Sequence, residues 1–347
     1  MSLGLPILLN NYTLTVKIGE TAHSIIYRGV RNDTKETVVV KTLKTSQTLA
    51  AQAAKIKHEY DMIRGLQIDG IVRTIDFIDQ NGILGFVLED FGGVSLKTVI
   101  QTGLPLDRFL KLAIRLAEIV GKLHQAKITH RDIKPHNILL NPENDTVKIT
   151  DFGIAAETLP IDQEMVNPAA MEGTLPYIAP EQTGRMNCVV DYRADLYSLG
   201  VTFYEMLTGQ VPFRAQSPVE IIHAHIARMP VELCGINPNV PVPVSDIIMK
   251  LLSKSADDRY QNGFGLAADL RECLKQFQLT GQIKPFALGG QDVSPRFLIP
   301  HVLVGREKER YMLLEAVERA SQGQKEVLMI TGEAGIGKTR LAEELLS

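Results

Sequence analysis

The segment His130-Arg131-Asp132-Ile133-Lys134-Pro135-His136-Asn137, followed fourteen residues later by Asp151-Phe152-Gly153, constrains this chain more than any other. Asp132, Asn137 and Asp151 are hard oxygen donors, the type that Mg2+ takes alongside phosphate oxygens and water. Lys134 adds a cation two residues from Asp132. Turns rich in Asp and Asn also serve as plain caps, so the segment acquires chemical meaning only in a fold that gathers these groups at one point.

Other elements stand in a fixed order around it. Val38-Val39-Val40-Lys41 is a β-branched run ending in a lysine, and Glu59 follows eighteen residues later on a helical stretch. Downstream come Ala179-Pro180-Glu181 and Asp195-Leu196-Tyr197-Ser198-Leu199-Gly200. In this order the motifs resemble the eukaryotic-type protein kinase superfamily over residues 12–277.

The resemblance implies an α+β, two-lobed fold, with a small lobe at 12–90 and a large lobe at 91–277. It also implies ATP- and Mg2+-dependent phosphorylation of serine or threonine in a protein substrate. Asp132 would be the catalytic base and Lys134 would neutralise the transferring phosphoryl group, a lysine at that place resembling Ser/Thr rather than Tyr kinases. Lys41, paired with Glu59, would hold the α/β-phosphates, and Asn137 and Asp151 would hold the metal. Leu88 resembles the gatekeeper, and the backbone of Glu89 and Phe91 resembles the adenine-binding hinge. Glu181 is expected to pair with Arg259 and Asp195 to brace the catalytic loop. Thr174 is expected to bond Asp132 and Lys134, and Thr158 is a candidate for regulatory phosphorylation, with Arg131 as the phosphate's partner.

One motif departs from the pattern. In Ile18-Gly19-Glu20-Thr21-Ala22-His23-Ser24-Ile25-Ile26 the first glycine is kept, and Ile18, Gly19 and Ile26 would cover the nucleotide. Thr21 and Ser24, however, stand where the family has its next two glycines. A β-branched threonine tolerates positive φ and close backbone approach poorly. The alternative function is therefore a nucleotide-binding pseudokinase acting as a signalling scaffold; intact Lys41, Asp132, Asn137 and Asp151 favour the enzyme.

Strand patterns fall at 12–18, 25–30, 38–43, 71–78 and 83–88, with a helix at about 47–66. Beyond Gly93 the periodicity turns helical: 106–125, 192–208, 218–228, 244–253 and 263–277. Residues 278–302 hold six glycines and prolines without periodicity and read as a linker.

A second domain is expected at 303–347. A helix-like run to Ser321 and a short buried strand at 327–331 precede Gly332-Glu333-Ala334-Gly335-Ile336-Gly337-Lys338-Thr339, which fits G-x-x-x-x-G-K-[ST]. Gly332, Gly337, Lys338 and Thr339 would cradle phosphates and Mg2+. Eight residues follow, too few for a metal-holding strand, so the stretch reads as the front of an α/β P-loop NTPase (AAA-like) domain. A kinase followed by Val304-Gly305-Arg306-Glu307 and a P-loop resembles large bacterial, mainly cyanobacterial, signalling proteins in which sensor and histidine kinase modules follow.

With a formal net charge of -3 the chain has no basic field to draw nucleic acid. Its three scattered cysteines fit neither a disulfide framework nor a metal cluster and suggest a reducing cytoplasm. No signal peptide is read in residues 3–9, and no apolar run approaches the roughly 20 residues of a membrane-spanning helix.

Overall fold

A computed structural model of the chain describes residues 6–21, 23–44, 50–80, 82–157, 175–186, 189–215, 217–293, 307–321, 325 and 327–331. It separates into two compact units, Met1–Val293 and Ser294–Ser347.

The first unit begins with a sheet. Its strands are β1 (Ile7–Leu9), β2 (Tyr12–Glu20), β3 (Ser24–Arg31), β4 (Thr37–Leu43), β5 (Thr74–Gln80) and β6 (Ile83–Glu89). They pair antiparallel in the order β1-β2-β3-β4-β6-β5. Along β4 burial alternates through Val38, Val40 and Thr42, whereas central β6 is buried on both faces, at Phe86, Val87 and Leu88 in succession. Helix α1 (Ala50–Ile63) interrupts the strands and packs Ile56 and Ile63 into the core, with Tyr60 against the Phe77 ring at 5.0 Å. The strand expected at 71–78 starts later, at Thr74; Ile71 instead forms a parallel bridge with Ile149 of the large lobe, whose carbonyl accepts from the Val72 N–H at 3.1 Å and whose N–H donates to the Gly70 carbonyl at 2.8 Å, which helps join the two lobes.

After the short β7 (Val94–Ser95) and α2 (Leu96–Ile100), α3 (Leu106–Gln125) opens the large lobe. Its apolar stripe is buried from Phe109 to Leu123, and Asp107 in its first turn and Lys122 and His124 in its last complement the helix dipole. Three short strands follow α3: β8 (Ile128–Thr129), β9 (Ile138–Leu140) and β10 (Val147–Ile149). β9 pairs with β10 and β7, and β8 with β11 (Ala156–Glu157). The helices α4 (Arg193–Thr208), α5 (Pro218–Ala227), α6 (Leu233–Ile236), α7 (Val242–Leu251) and α8 (Gly263–Thr280) complete the lobe. α4 is buried along almost its whole length and ends on Gly209 at φ 72°, a left-handed cap. α8 lies close against α3 because of Gly263: a Cβ there would stand 2.3 Å from the Ala117 carbonyl oxygen.

The front of the 278–302 stretch, expected as a linker, follows a packed course. α8 runs on to Thr280, Ile283 is buried, and Asp292 accepts hydrogen bonds from the backbone N–H of Gln261 (2.7 Å) and Asn262 (3.1 Å).

In the second unit, α9 (Glu307–Ser321) matches the expected helix. The expected buried strand at 327–331 is corrected: these residues are in no strand, and Val327 and Met329 are 94% and 83% exposed. An apolar run of this kind is buried by strands on either side, and the described residues of the unit supply none. Gly332, Gly337, Lys338 and Thr339 lie outside the described residues.

Candidate active site

Lys41 sits near the end of β4, where the ladder sets it opposite Ile26 on β3 and Phe86 on β6. Its Nζ donates to both carboxylate oxygens of Glu59 on α1, at 2.7 and 2.8 Å, and to Asp151 Oδ1 at 2.9 Å. One cation thus ties a strand and a helix of the small lobe to a loop of the large lobe. Burial opposes the charge on Lys41, but Asp151 and Glu59 outweigh it and hold the ammonium above its ordinary range. Burial also pushes the Glu59 carboxyl up to about 7, with Asp151 adding to the rise against the pull of Lys41. Asp151 moves the other way: burial would raise it, yet the charge and hydrogen bond of Lys41 keep it below the usual carboxylate range.

Phe152 turns inward, buried against the His130 ring at 4.5 Å, while Asp151 faces Lys41. Asp151 adopts φ 70° and Arg131 φ 64°, left-handed conformations uncommon for residues with a Cβ. Such strain persists where surrounding contacts over-determine the backbone, and here they do. The buried Asp195 carboxylate accepts from the backbone N–H of His130 (2.8 Å) and Arg131 (2.7 Å) and lies 2.9 Å from His124 Nε2. The bracing expected of Asp195 is therefore present as geometry.

The Asp132 carboxylate accepts from Lys134 Nζ at 2.8 Å and from Asn137 Nδ2 at 2.8 Å. Asn137 Nδ2 also donates to the Asp132 carbonyl at 2.9 Å, which fixes the amide and leaves Oδ1 as its free acceptor. Asn137 Oδ1 and the Asp151 carboxylate are hard donors suited to Mg2+, which needs few protein oxygens when phosphate and water complete its octahedron.

Between the lobes, Leu88 is buried on β6. The Glu89 side chain pairs with Lys148 and accepts from the Arg73 N–H at 2.8 Å. The Phe91 carbonyl accepts from Asn141 Nδ2 at 2.6 Å, and Lys148 lies over the Phe91 ring at 5.1 Å. Above the cleft, Gly19 pairs with Ile26 across β2 and β3, and Ile18 is 45% exposed.

Below it, Glu181 and Arg259 form a buried two-pronged ion pair at 2.6 and 2.9 Å, as expected. Thr158 and Thr174 lie outside the described residues.

The sequence matches the protein kinase domain family over residues 12–274. The chain belongs to the protein kinase family. Residues 302–347 of this kinase chain match the AAA ATPase domain family. Among its relatives, a probable serine/threonine-protein kinase of Clostridium perfringens is 33% identical over 87% of this chain and 43% of its own length. The hybrid signal transduction histidine kinase G of Dictyostelium discoideum is 31% identical over 69% of this chain and 10% of its own. The chain thus spans less than half the length of these relatives. In fold it is similar to the kinase domain of Mycobacterium tuberculosis PknI, with a TM-score of 0.58 at 20% identity, covering 78% of this chain and 99% of that one.

Two contacts of the kinase site escape sequence reading. Gln182 donates to the Arg131 carbonyl at 3.1 Å while its own carbonyl accepts from the Ala179 N–H at 3.0 Å, joining the catalytic loop to the Ala-Pro-Glu motif. His58 Nε2 lies 3.0 Å from the Ala155 carbonyl and links α1 to the chain beyond Gly153. Neither residue stands in a spacing that would mark it.

Proposed function

We propose that this chain transfers the γ-phosphoryl group of ATP to a serine or threonine hydroxyl of a protein. The observation that carries the reading is the convergence of Lys41, Glu59 and Asp151 in one ion-paired cluster above a catalytic loop in which Asp132, Lys134 and Asn137 are mutually bonded. Lys41 holds the α- and β-phosphates, and Glu59 keeps its ammonium in place. Asp132 orients the substrate hydroxyl and takes its proton as the oxygen–phosphorus bond forms and the bond to the ADP leaving oxygen breaks. Lys134 balances charge on the phosphoryl oxygens. Asn137 and Asp151 would hold Mg2+, which when bound neutralises phosphate charge and fixes the in-line geometry.

Gln182 and Asp195 position this loop from below, and Glu89 and Phe91 offer backbone groups to the adenine ring. A scaffold that binds nucleotide without turnover needs no base, whereas here Asp132 is positioned by two donors. The match to an AAA ATPase family after the kinase domain, together with the hybrid histidine kinase among the relatives, supports a place in a longer cytoplasmic signalling protein with sensor and histidine kinase modules. No helix among the described residues is long and apolar enough to cross a membrane.

Asp132→Asn tests the reading. With radiolabelled ATP and generic protein substrates, phosphotransfer is expected to fall about 10³-fold, within the range for a lost general base, at unchanged thermal stability. Full activity in that variant would remove Asp132 from the chemistry.

A further inference from the structure

In the loop between β2 and β3 a side-chain hydroxyl occupies two of the loop's own backbone amides. Thr21 Oγ1 accepts from the backbone N–H of Ser24 at 3.0 Å and of His23 at 3.3 Å. Two successive N–H groups converging on one oxygen make the kind of concavity that binds anions; a side-chain hydroxyl fills it here. None of the described residues of the loop, Thr21, His23 and Ser24 among them, has a positive φ. Threonine is therefore accommodated without strain, and the conformational objection to it at this position falls away.

The loop does not depend on that hydroxyl for closure. The Thr21 N–H donates to the Ser24 carbonyl at 2.9 Å, and the Lys44 N–H donates to the His23 carbonyl at 3.0 Å. The His23 ring lies 3.2 Å from the Gln52 amide on α1, and Glu20 pairs with both Lys17 and Lys44. Those pairs also offset the negative charge that Glu20 would otherwise present to a phosphate.

We propose that Thr21 is an internal competitor for nucleotide phosphate: its hydroxyl occupies the amides of His23 and Ser24 until a phosphate oxygen displaces it. The inference rests on the reading that ATP binds beneath this loop. An N–H group makes one strong hydrogen bond at a time, so phosphate binding has to break the Thr21 contacts, and the net gain shrinks by the worth of the bonds given up. The effect is confined to ligands that carry phosphates. Thr21 is a positioning residue, distinct from the groups that act on the transferred phosphoryl.

Calorimetric titration of ATP, ADP and adenosine into the full chain tests it. Thr21→Val keeps the shape and removes the acceptor. It is expected to tighten ATP and ADP binding about fivefold, the worth of one net hydrogen bond, with adenosine unchanged. Thr21→Ser restores the hydroxyl and is expected to return the ratio of ATP to adenosine affinity to that of the wild type. Equal or weaker ATP binding by Thr21→Val, or an equal gain for adenosine, overturns the competitor role while leaving the kinase reading in place. Failure of the wild type to bind ATP overturns both.

Discussion

The two walls of the cleft are built differently. On the large-lobe side, Asp132, Asn137, Arg131 and Asp195 are joined by hydrogen bonds of 2.7–2.9 Å between groups that are mostly buried, and Gln182 and the Glu181–Arg259 pair support them from behind. On the small-lobe side, the loop between β2 and β3 is exposed at Thr21 and His23 and buried only at Ser24, and it bonds chiefly to itself and to Lys44. A buried polar network has to be satisfied in one arrangement or it destabilises the fold, so its residue types are restricted. A solvated loop can meet its hydrogen-bonding needs with a threonine as well as with the flexibility of glycine. The family pattern is kept where misplacement is costly and altered where water forgives the change.

The sharpest way to break the comparison is at Lys41, which joins the two walls. Lys41→Met is expected to lower kcat by about a hundredfold or more, the range for losing one preorganised electrostatic contact, while the large lobe keeps its fold. Near wild-type turnover would mean that the walls are not coupled through this ion pair.

Next in size is Arg259→Met. Removing one partner of a buried pair leaves the Glu181 carboxylate uncompensated, at a cost of about 3–5 kcal/mol. Urea denaturation should register a loss of that order, far above that from removing the exposed Lys17–Glu20 pair of the loop. Similar midpoints for the two variants would contradict the contrast.

Asp292→Ala asks how far the satisfied network extends toward the C-terminal end of the unit. It deletes the acceptor for Gln261 and Asn262, and a stability loss of about 2 kcal/mol is expected from bonds to a charged group. No change in the unfolding midpoint would show that 281–293 is not part of the lobe's stability.

The smallest effect concerns pH. His225 on α5 is fully buried beside Tyr197 and Phe213; burial, then the charge of Lys254, lowers its pKa to about 3. The folded protein keeps the ring neutral while the unfolded chain takes up a proton near 6.5, so the stability is present above pH 6.5 and drains away as pH falls toward 3. Between pH 6 and 5 the loss from this residue is about 1 kcal/mol. His225→Gln should flatten the stability–pH curve in that interval, and an unchanged slope would show that His225 protonates in the folded state.

Much of this architecture is legible in the chain itself. Short apolar and β-branched runs mark β2, β3, β4 and β6, and the 3.6 periodicity marks α3, because the sides from which an element is buried set its pattern of apolar residues. The candidate site is legible at Lys41, Asp132, Asn137 and Asp151, because phosphoryl transfer restricts a base and hard oxygen ligands to very few residue types. The state of 327–331 was not legible: its apolar run reads as a buried strand, yet it is in no strand and largely exposed, since a short apolar run becomes a strand only when neighbours pair with it. Residues 281–293 were misleading because their glycines and prolines describe the backbone, while the packing of Ile283 and the bonds of Asp292 depend on a surface far away in sequence.

What the sequence determined by itself is the set of chemical groups and their order: a lysine on a strand, a carboxylate on a helix, and two further carboxylates and an amide on loops. Only the tertiary structure decided that Lys41 meets Glu59 and Asp151 at once, that Gln182 holds the Arg131 carbonyl, and that the Thr21 hydroxyl takes the amides of His23 and Ser24. The reason is physical. A residue's chemistry travels with it along the chain, but a hydrogen bond requires two groups within about 3 Å in the right orientation, and folding alone sets that distance.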